Sequence, residues 1–83
     1  MSIELVEFKN EVIEILAEVC QDEVVKENPD VDLFKSGLLD SFGTVELLIQ
    51  IEERLGILVP ISEFDRDLWN TPNNIALQLA DMK

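Results

Sequence analysis

Leu5, Phe8, Val12, Ile15 and Val19 recur at spacings of three and four, with Glu4, Glu7, Glu11, Glu14 and Glu18 largely between them. That period gathers the apolar side chains on one side of an α-helix and predicts such a helix over about residues 3–20. It is lost in QDEVVKENPDVDLFKSGLLD, residues 21–40, where Asn28-Pro29-Asp30 signals a turn. A connection this long in a small domain usually carries function or hidden structure. Val31, Leu33, Phe34, Leu38 and Leu39 make it too apolar for a free linker, so a loop pinned across the other helices is expected. Helical spacing resumes over about 41–55 and stops at Gly56, a favoured residue just past a helix end. After ILVPI, Ser62-Glu63-Phe64-Asp65 has the Ser-x-x-acid form of a helix start and predicts a short helix over about 62–67. Thr71-Pro72 supplies a cap and a first-position proline, and Ile75, Leu79 and Met82 continue a last helix over about 72–82. Trp69, just ahead of it, is expected to pack onto the bundle. No stretch alternates like a strand and no internal repeat is visible. The fold class expected is all-α: one domain, residues 1–83, with three main helices plus one short helix and a long loop between helices one and two.

The helix at 41–55 carries more apolar surface than a core needs. At about 100° per residue, Thr44, Leu47, Leu48, Ile51 and Leu55 fall within one arc of about 100°, the width of a core face. Phe42, Val45 and Ile49 fall on a second arc centred roughly 140° away, flanked by Glu46, Glu52 and Glu53. An apolar patch rimmed by carboxylates has the form of a docking surface. The alternative is that the long loop folds over Phe42, Val45 and Ile49 and buries them. Gly43, in the first turn, either leaves room beside Ser41 for an incoming group or a partner's backbone or is simply tolerated there.

Charge narrows the partners. Eighteen Asp and Glu stand against six Lys and Arg, a net charge of −12, which repels nucleic-acid phosphates and anionic lipid heads. A partner with a basic docking surface is the complement; the charge also serves solubility by itself. With one cysteine, Cys20, no intramolecular disulfide can form, and its place in the first helix suits a small buried hydrophobe. Histidine is absent, which removes the usual acid–base catalyst and the commonest metal ligand. The start, MSIELVEFKNE, lacks the basic flank and apolar run of a signal peptide, and no apolar run is long enough to span a bilayer. A cytoplasmic chain with no membrane insertion and no catalytic or metal site is expected.

Ser41 opens the helix at 41–55, where free N–H groups and the positive end of the helix dipole favour an anion. A phosphate ester on its oxygen would lie there without needing a basic residue nearby. Asp40 is placed to cap the helix by itself, which would release Ser41; a capping or merely solvated serine is the other reading.

Leu39-Asp40-Ser41-Phe42, followed by Gly43-Thr44-Val45-Glu46-Leu47-Leu48, resembles the Asp-Ser-Leu attachment motif of acyl and peptidyl carrier proteins. The resemblance covers nearly the whole chain and implies a small acyl-carrier-protein-like bundle. It also implies 4′-phosphopantetheine attached covalently to Ser41, with Asp40, Phe42 and Gly43 as motif flanks. Within the family, DSFGTVELL and ISEFDRDLWNTPNNI, the latter from Ile61 to Ile75, are most similar to the group serving teichoic-acid D-alanylation. What that likeness implies is a non-catalytic, monomeric carrier of D-alanine for lipoteichoic or teichoic acid in cell-wall biogenesis. Its implied partners are a phosphopantetheinyl transferase, a D-alanine–carrier protein ligase and a membrane acyltransferase. An acyl or peptidyl carrier for another cargo, or an unmodified acidic interaction module, are the alternatives. Phe42 in place of the common leucine, Gly43 in place of an acidic residue, and Arg54 within the acidic run weigh against docking to fatty-acid synthesis enzymes. Phe42, Val45, Glu46, Ile49 and Glu52 are the docking candidates. Glu63 to Asp67 is either a second contact or a solvated short helix with Phe64 in the core.

Overall fold

A computed structural model describes residues 3–82; Met1, Ser2 and Lys83, which the single-domain reading takes in, lie outside the described residues. Four α-helices appear among them: α1 (Ile3–Cys20), α2 (Val24–Glu27), α3 (Ser41–Leu55) and α4 (Pro72–Met82). The all-α architecture and the three main helices match the apolar periods. α1 packs against both α3 and α4, and this explains why its buried face is wider than the expected stripe. Phe8, Val12 and Ile15 are buried as expected, but so are Leu16 and Ala17, because a helix clasped from two sides needs two adjacent stripes. Leu5, at the edge of the stripe, stays exposed. No helix among the described residues is long and apolar enough to cross a membrane.

The ends of the main helices follow local chemistry. α1 closes through Gln21, whose φ of +56° is left-handed, so that Asp22 N–H reaches back to the Ala17 carbonyl at 3.2 Å. α3 closes on Gly56, φ +70°, whose N–H donates to the Glu52 carbonyl. At α4, Thr71 Oγ1 accepts from Asn74 N–H at 3.1 Å, and the buried Pro72 is the first helical residue.

The long loop is pinned, and by more than its apolar side chains. Leu33 and Leu39 are fully or nearly fully buried. Leu33 N–H donates to the Asn70 carbonyl at 2.8 Å and Asn73 N–H to the Pro29 carbonyl at 3.0 Å, while Asn73 Nδ2 donates to Asp30 Oδ1 at 2.6 Å. The asparagines around the start of α4 therefore stitch the loop down. Part of the expected loop is helical: α2 is a single turn, too short to show a period, and it docks Val25 into the core.

One expected element takes another form. In place of a helix over 62–67 there is a three-residue 3₁₀ turn, Ile61–Glu63, preceded by extended Pro60 and making no side-chain cap bond. Ser62 lies inside the turn and caps nothing. Phe64 turns extended (φ −80°, ψ 103°), because its ring fills a slot between Phe34 and Trp69 that a continuing helix would not let it reach. Trp69 itself is buried, as its position promised.

Candidate functional site

The start of α3 is built by Asp40. Its backbone is extended (φ −121°, ψ −169°), and its carboxylate Oδ1 accepts the Gly43 N–H at 2.7 Å. Its carbonyl accepts the Thr44 N–H at 2.8 Å and the Thr44 hydroxyl at 2.7 Å. Asp40 thus does the capping alone. The hydroxyl of Ser41, the first helical residue, is not spent on the helix and is exposed to solvent. Between a capping serine and a released one, the geometry gives the released one.

Gly43 has a packing reason that its position alone did not show. A Cβ there would stand 3.0 Å from Leu39 Cδ1 and 3.3 Å from Asp40 Oδ1. The missing side chain makes room for the cap itself and for buried Leu39 beside it.

A basic residue lies beside Ser41, one that the phosphate-ester reading of the helix start did not call for. Arg66 Nη2 donates to Ser41 Oγ at 3.2 Å, across 25 positions of sequence. Its guanidinium sits 4.8 Å from the centre of the Phe34 ring. Phe34 meets Phe64 edge-on, with centroids 6.0 Å apart and planes at 77°, and Phe64 leans on Trp69 at 5.0 Å. A row of aromatic rings thus runs from the core to the cation that faces the serine. The only sequence signal for Arg66 was a lone cation in Glu63-Phe64-Asp65-Arg66-Asp67. In that stretch, the solvated-helix alternative fails on the helix but holds for Phe64, which packs half-buried in the ring cluster.

The two arcs of α3 separate as their angles require. Thr44, Leu47 and Ile51 are buried, with Leu48 and Leu55 partly so against the core. Phe42 is 86% exposed, Val45 46% and Ile49 44%, so the long loop does not cover them. Glu46 and Glu52 stand exposed at the rim, Glu46 accepting from Gln50 Nε2 at 3.1 Å. The patch extends beyond α3, where Val45, Ile49, Glu52, Leu58 and Ile61 line an open groove of about 170 Å³. Leu58 and Ile61, both exposed, were not singled out in the sequence, because they lie outside any helical period. Arg54, the basic break in the acidic run, pairs with Glu18 of α1 and so fastens two helices. Cys20 is only half-buried, and burial, with the Asp22 charge adding to it, pushes its thiol from 9.0 up to about 11.

An exposed hydroxyl, a guanidinium donor and the first-turn amides of α3 form a donor set suited to a phosphate ester. The comparisons with known proteins agree with that chemistry. The family model for the phosphopantetheine attachment site matches residues 10–79. The D-alanyl carrier protein of Bacillus subtilis (strain 168) is 69% identical over 77 residues, covering 93% of this chain and 99% of that one. The D-alanyl carrier protein of Bacillus pumilus (strain SAFR-032) is 71% identical with the same coverage. That of Bacillus cereus (strain B4264) is 52% identical over 79 residues, 95% of this chain and all of the other.

Proposed function

This chain belongs to the D-alanyl carrier protein family, and from that premise we propose that Ser41 Oγ is the atom through which it holds 4′-phosphopantetheine. When bound, that group supplies a terminal thiol on which D-alanine is held as a thioester, so the protein is a carrier for D-alanylation. The chain's own contributions are attachment, orientation and docking. Asp40 keeps the first turn closed while leaving Ser41 Oγ outside it, which is the single observation that carries the choice of residue. The amides of Ser41 and Phe42 precede the first intrahelical bond, made by Thr44 N–H, and present positive potential to an ester on that oxygen.

Phe42, Val45 and Ile49, with Glu46 and Glu52 at the rim, form the face offered to partners, and Leu58 and Ile61 extend it. The partner face that fits is apolar at its centre and basic at its edge. A net charge of −12 steers the encounter, while a modest patch keeps each visit short. The partners in this reading are a phosphopantetheinyl transferase that modifies Ser41, a D-alanine–carrier protein ligase that loads the cargo, and a membrane acyltransferase that takes it on toward teichoic acid. The chain works as a monomer on the cytoplasmic side, where coenzyme A and ATP are supplied.

The test is a loading assay. The pantetheinylated chain is offered D-alanine, L-alanine, other amino acids and fatty acids with ATP and a D-alanine ligase. D-alanine is expected to appear as a base-labile adduct that Ser41→Ala lacks. Equal loading of the whole panel, or loading that survives Ser41→Ala, contradicts the reading.

A further inference from the structure

Arg66 has features that an ordinary surface arginine lacks. It lies between Asp65 and Asp67 in sequence, yet neither pairs with it, and among the described residues no carboxylate stands within ion-pair distance of its guanidinium. The local turn explains this. Asp65 Oδ1 accepts the Asp67 N–H at 2.9 Å, and the Asp65 carbonyl accepts the Leu68 and Trp69 N–H groups at 3.0 and 2.8 Å. Asp65 is thereby committed to its own turn, and the arginine crosses to Phe34 and Ser41 instead.

Lys9 and Lys35 likewise form no ion pair among the described residues, but Arg66 is the one of the three set against an aromatic ring and the Ser41 hydroxyl. Among the described residues its one polar side-chain partner is the Ser41 hydroxyl, a neutral acceptor, at 3.2 Å. Hydrogen bonds from a guanidinium to a phosphate oxygen are shorter and about twice as strong as those to neutral groups. Transfer from coenzyme A forms the Ser41 Oγ–P bond as the coenzyme's pyrophosphate P–O bond breaks, releasing adenosine 3′,5′-bisphosphate and the hydroxyl proton. The non-bridging oxygens of the new phosphodiester supply the negative charge the guanidinium lacks as a partner. The guanidinium rests over the Phe34 ring at 4.8 Å, and Phe64 and buried Trp69 back Phe34, so less side-chain freedom is lost when the pair forms.

We propose that Arg66 is the built-in counter-charge for the phosphodiester on Ser41, a positioning residue that fixes the first link of the arm against the start of α3 and leaves the remainder free to reach partners. The proposal rests on the attachment reading given above and adds to it the residue that grips the phosphate. Lysine keeps the charge but lacks the planar fork, so Arg66→Lys is expected to recover only part of the effect.

The experiment compares apo and pantetheinylated forms of the wild type, Arg66→Gln and Arg66→Lys, each made with coenzyme A and a phosphopantetheinyl transferase and checked by intact mass. The ³¹P resonance of the ester, the Arg66 Nε–H resonance and the thermal midpoints are recorded in low salt and in about 1 M salt, where screening acts within about 3 Å. In the wild type, pantetheinylation is expected to move the Arg66 Nε–H resonance and to raise the midpoint by about 1–4 °C in low salt, less in high salt. The ³¹P resonance is expected to shift in Arg66→Gln, and the midpoint gain to vanish there and return in part in Arg66→Lys. An unmoved Arg66 resonance, with one ³¹P position and one midpoint difference shared by all three chains, overturns the proposal alone. Absence of any mass gain overturns the attachment reading and the proposal together.

Discussion

α3 and α4 begin in nearly the same way and end up with opposite uses for a hydroxyl. At α4, Thr71 Oγ1 accepts the Asn74 N–H at 3.1 Å, and the next residue, Pro72, is buried. At α3 a carboxylate does that work, Asp40 Oδ1 accepting the Gly43 N–H at 2.7 Å, and the next residue, Ser41, is exposed with its hydroxyl free of the cap. The first start seals a helix against the loop it pins. The second seals a helix and leaves a nucleophile outside. A hydroxyl near a helix start is therefore informative only once the capping atom is known, and here that atom belongs to the neighbour.

The comparison breaks most completely at Ser41. Ser41→Ala is expected to abolish pantetheinylation in intact-mass analysis while changing stability by no more than about 0.5 kcal/mol in urea unfolding, since no cap is lost. Thr71→Ala is expected to do the reverse, keeping the modification.

The exposed sides of the two helices sharpen the contrast next. Ile49 on α3 and Leu77 on α4 are both well exposed, 44% and 61%. Only Ile49 lies on the face proposed for docking. Ile49→Ala is expected to lower kcat/KM for ligase loading about tenfold, the loss of roughly 1.4 kcal/mol at an interface. Leu77→Ala is expected to leave loading unchanged; an equal loss in both variants would dissolve the distinction between the faces.

The caps themselves come third. Asp40→Ala and Thr71→Ala are each expected to cost about 1 kcal/mol in unfolding free energy, because each strands one first-turn amide. Their effects should add, since the two helix starts share no hydrogen-bond partner.

The smallest effect concerns a third nucleophile, Cys20, which burial rather than bonding withdraws. Its thiol is pushed up to about 11 in the folded chain, against 9.0 ordinarily. Between those values the unfolded chain has released a proton that the folded chain still holds, so stability falls as pH rises from 9.0 toward 11. Thermal midpoints across that window should fall slightly more for the wild type than for Cys20→Ala. At neutral pH the thiol should react with iodoacetamide more slowly than a free cysteine does.

What the sequence made legible follows from the range of each signal. The spans 3–20, 41–55 and 72–82 reappear as helices, because an apolar period repeated over three or more turns outweighs local accidents. The split of α3 into a buried and an exposed arc was legible for the same reason, as pure angle. The short helix over 62–67 was misread because Ser-x-x-acid is a local preference, and Phe64's place between Phe34 and Trp69 overrides it. α2 was too brief to show a period. Arg66 beside Ser41, and Asn70 and Asn73 holding the loop, join residues 25 or more positions apart, and no spacing rule encodes such pairs. Ser41 stood out through its motif as the proposed attachment residue, while its freedom from capping duty needed the geometry of Asp40.

The most direct measurement is peptide-mapped mass analysis of the full chain after coenzyme A and a phosphopantetheinyl transferase, wild type beside Ser41→Ala. A single phosphopantetheine on the peptide containing Ser41, and none on the variant, is the predicted result. An unmodified wild type, or a group found on any other residue, contradicts it.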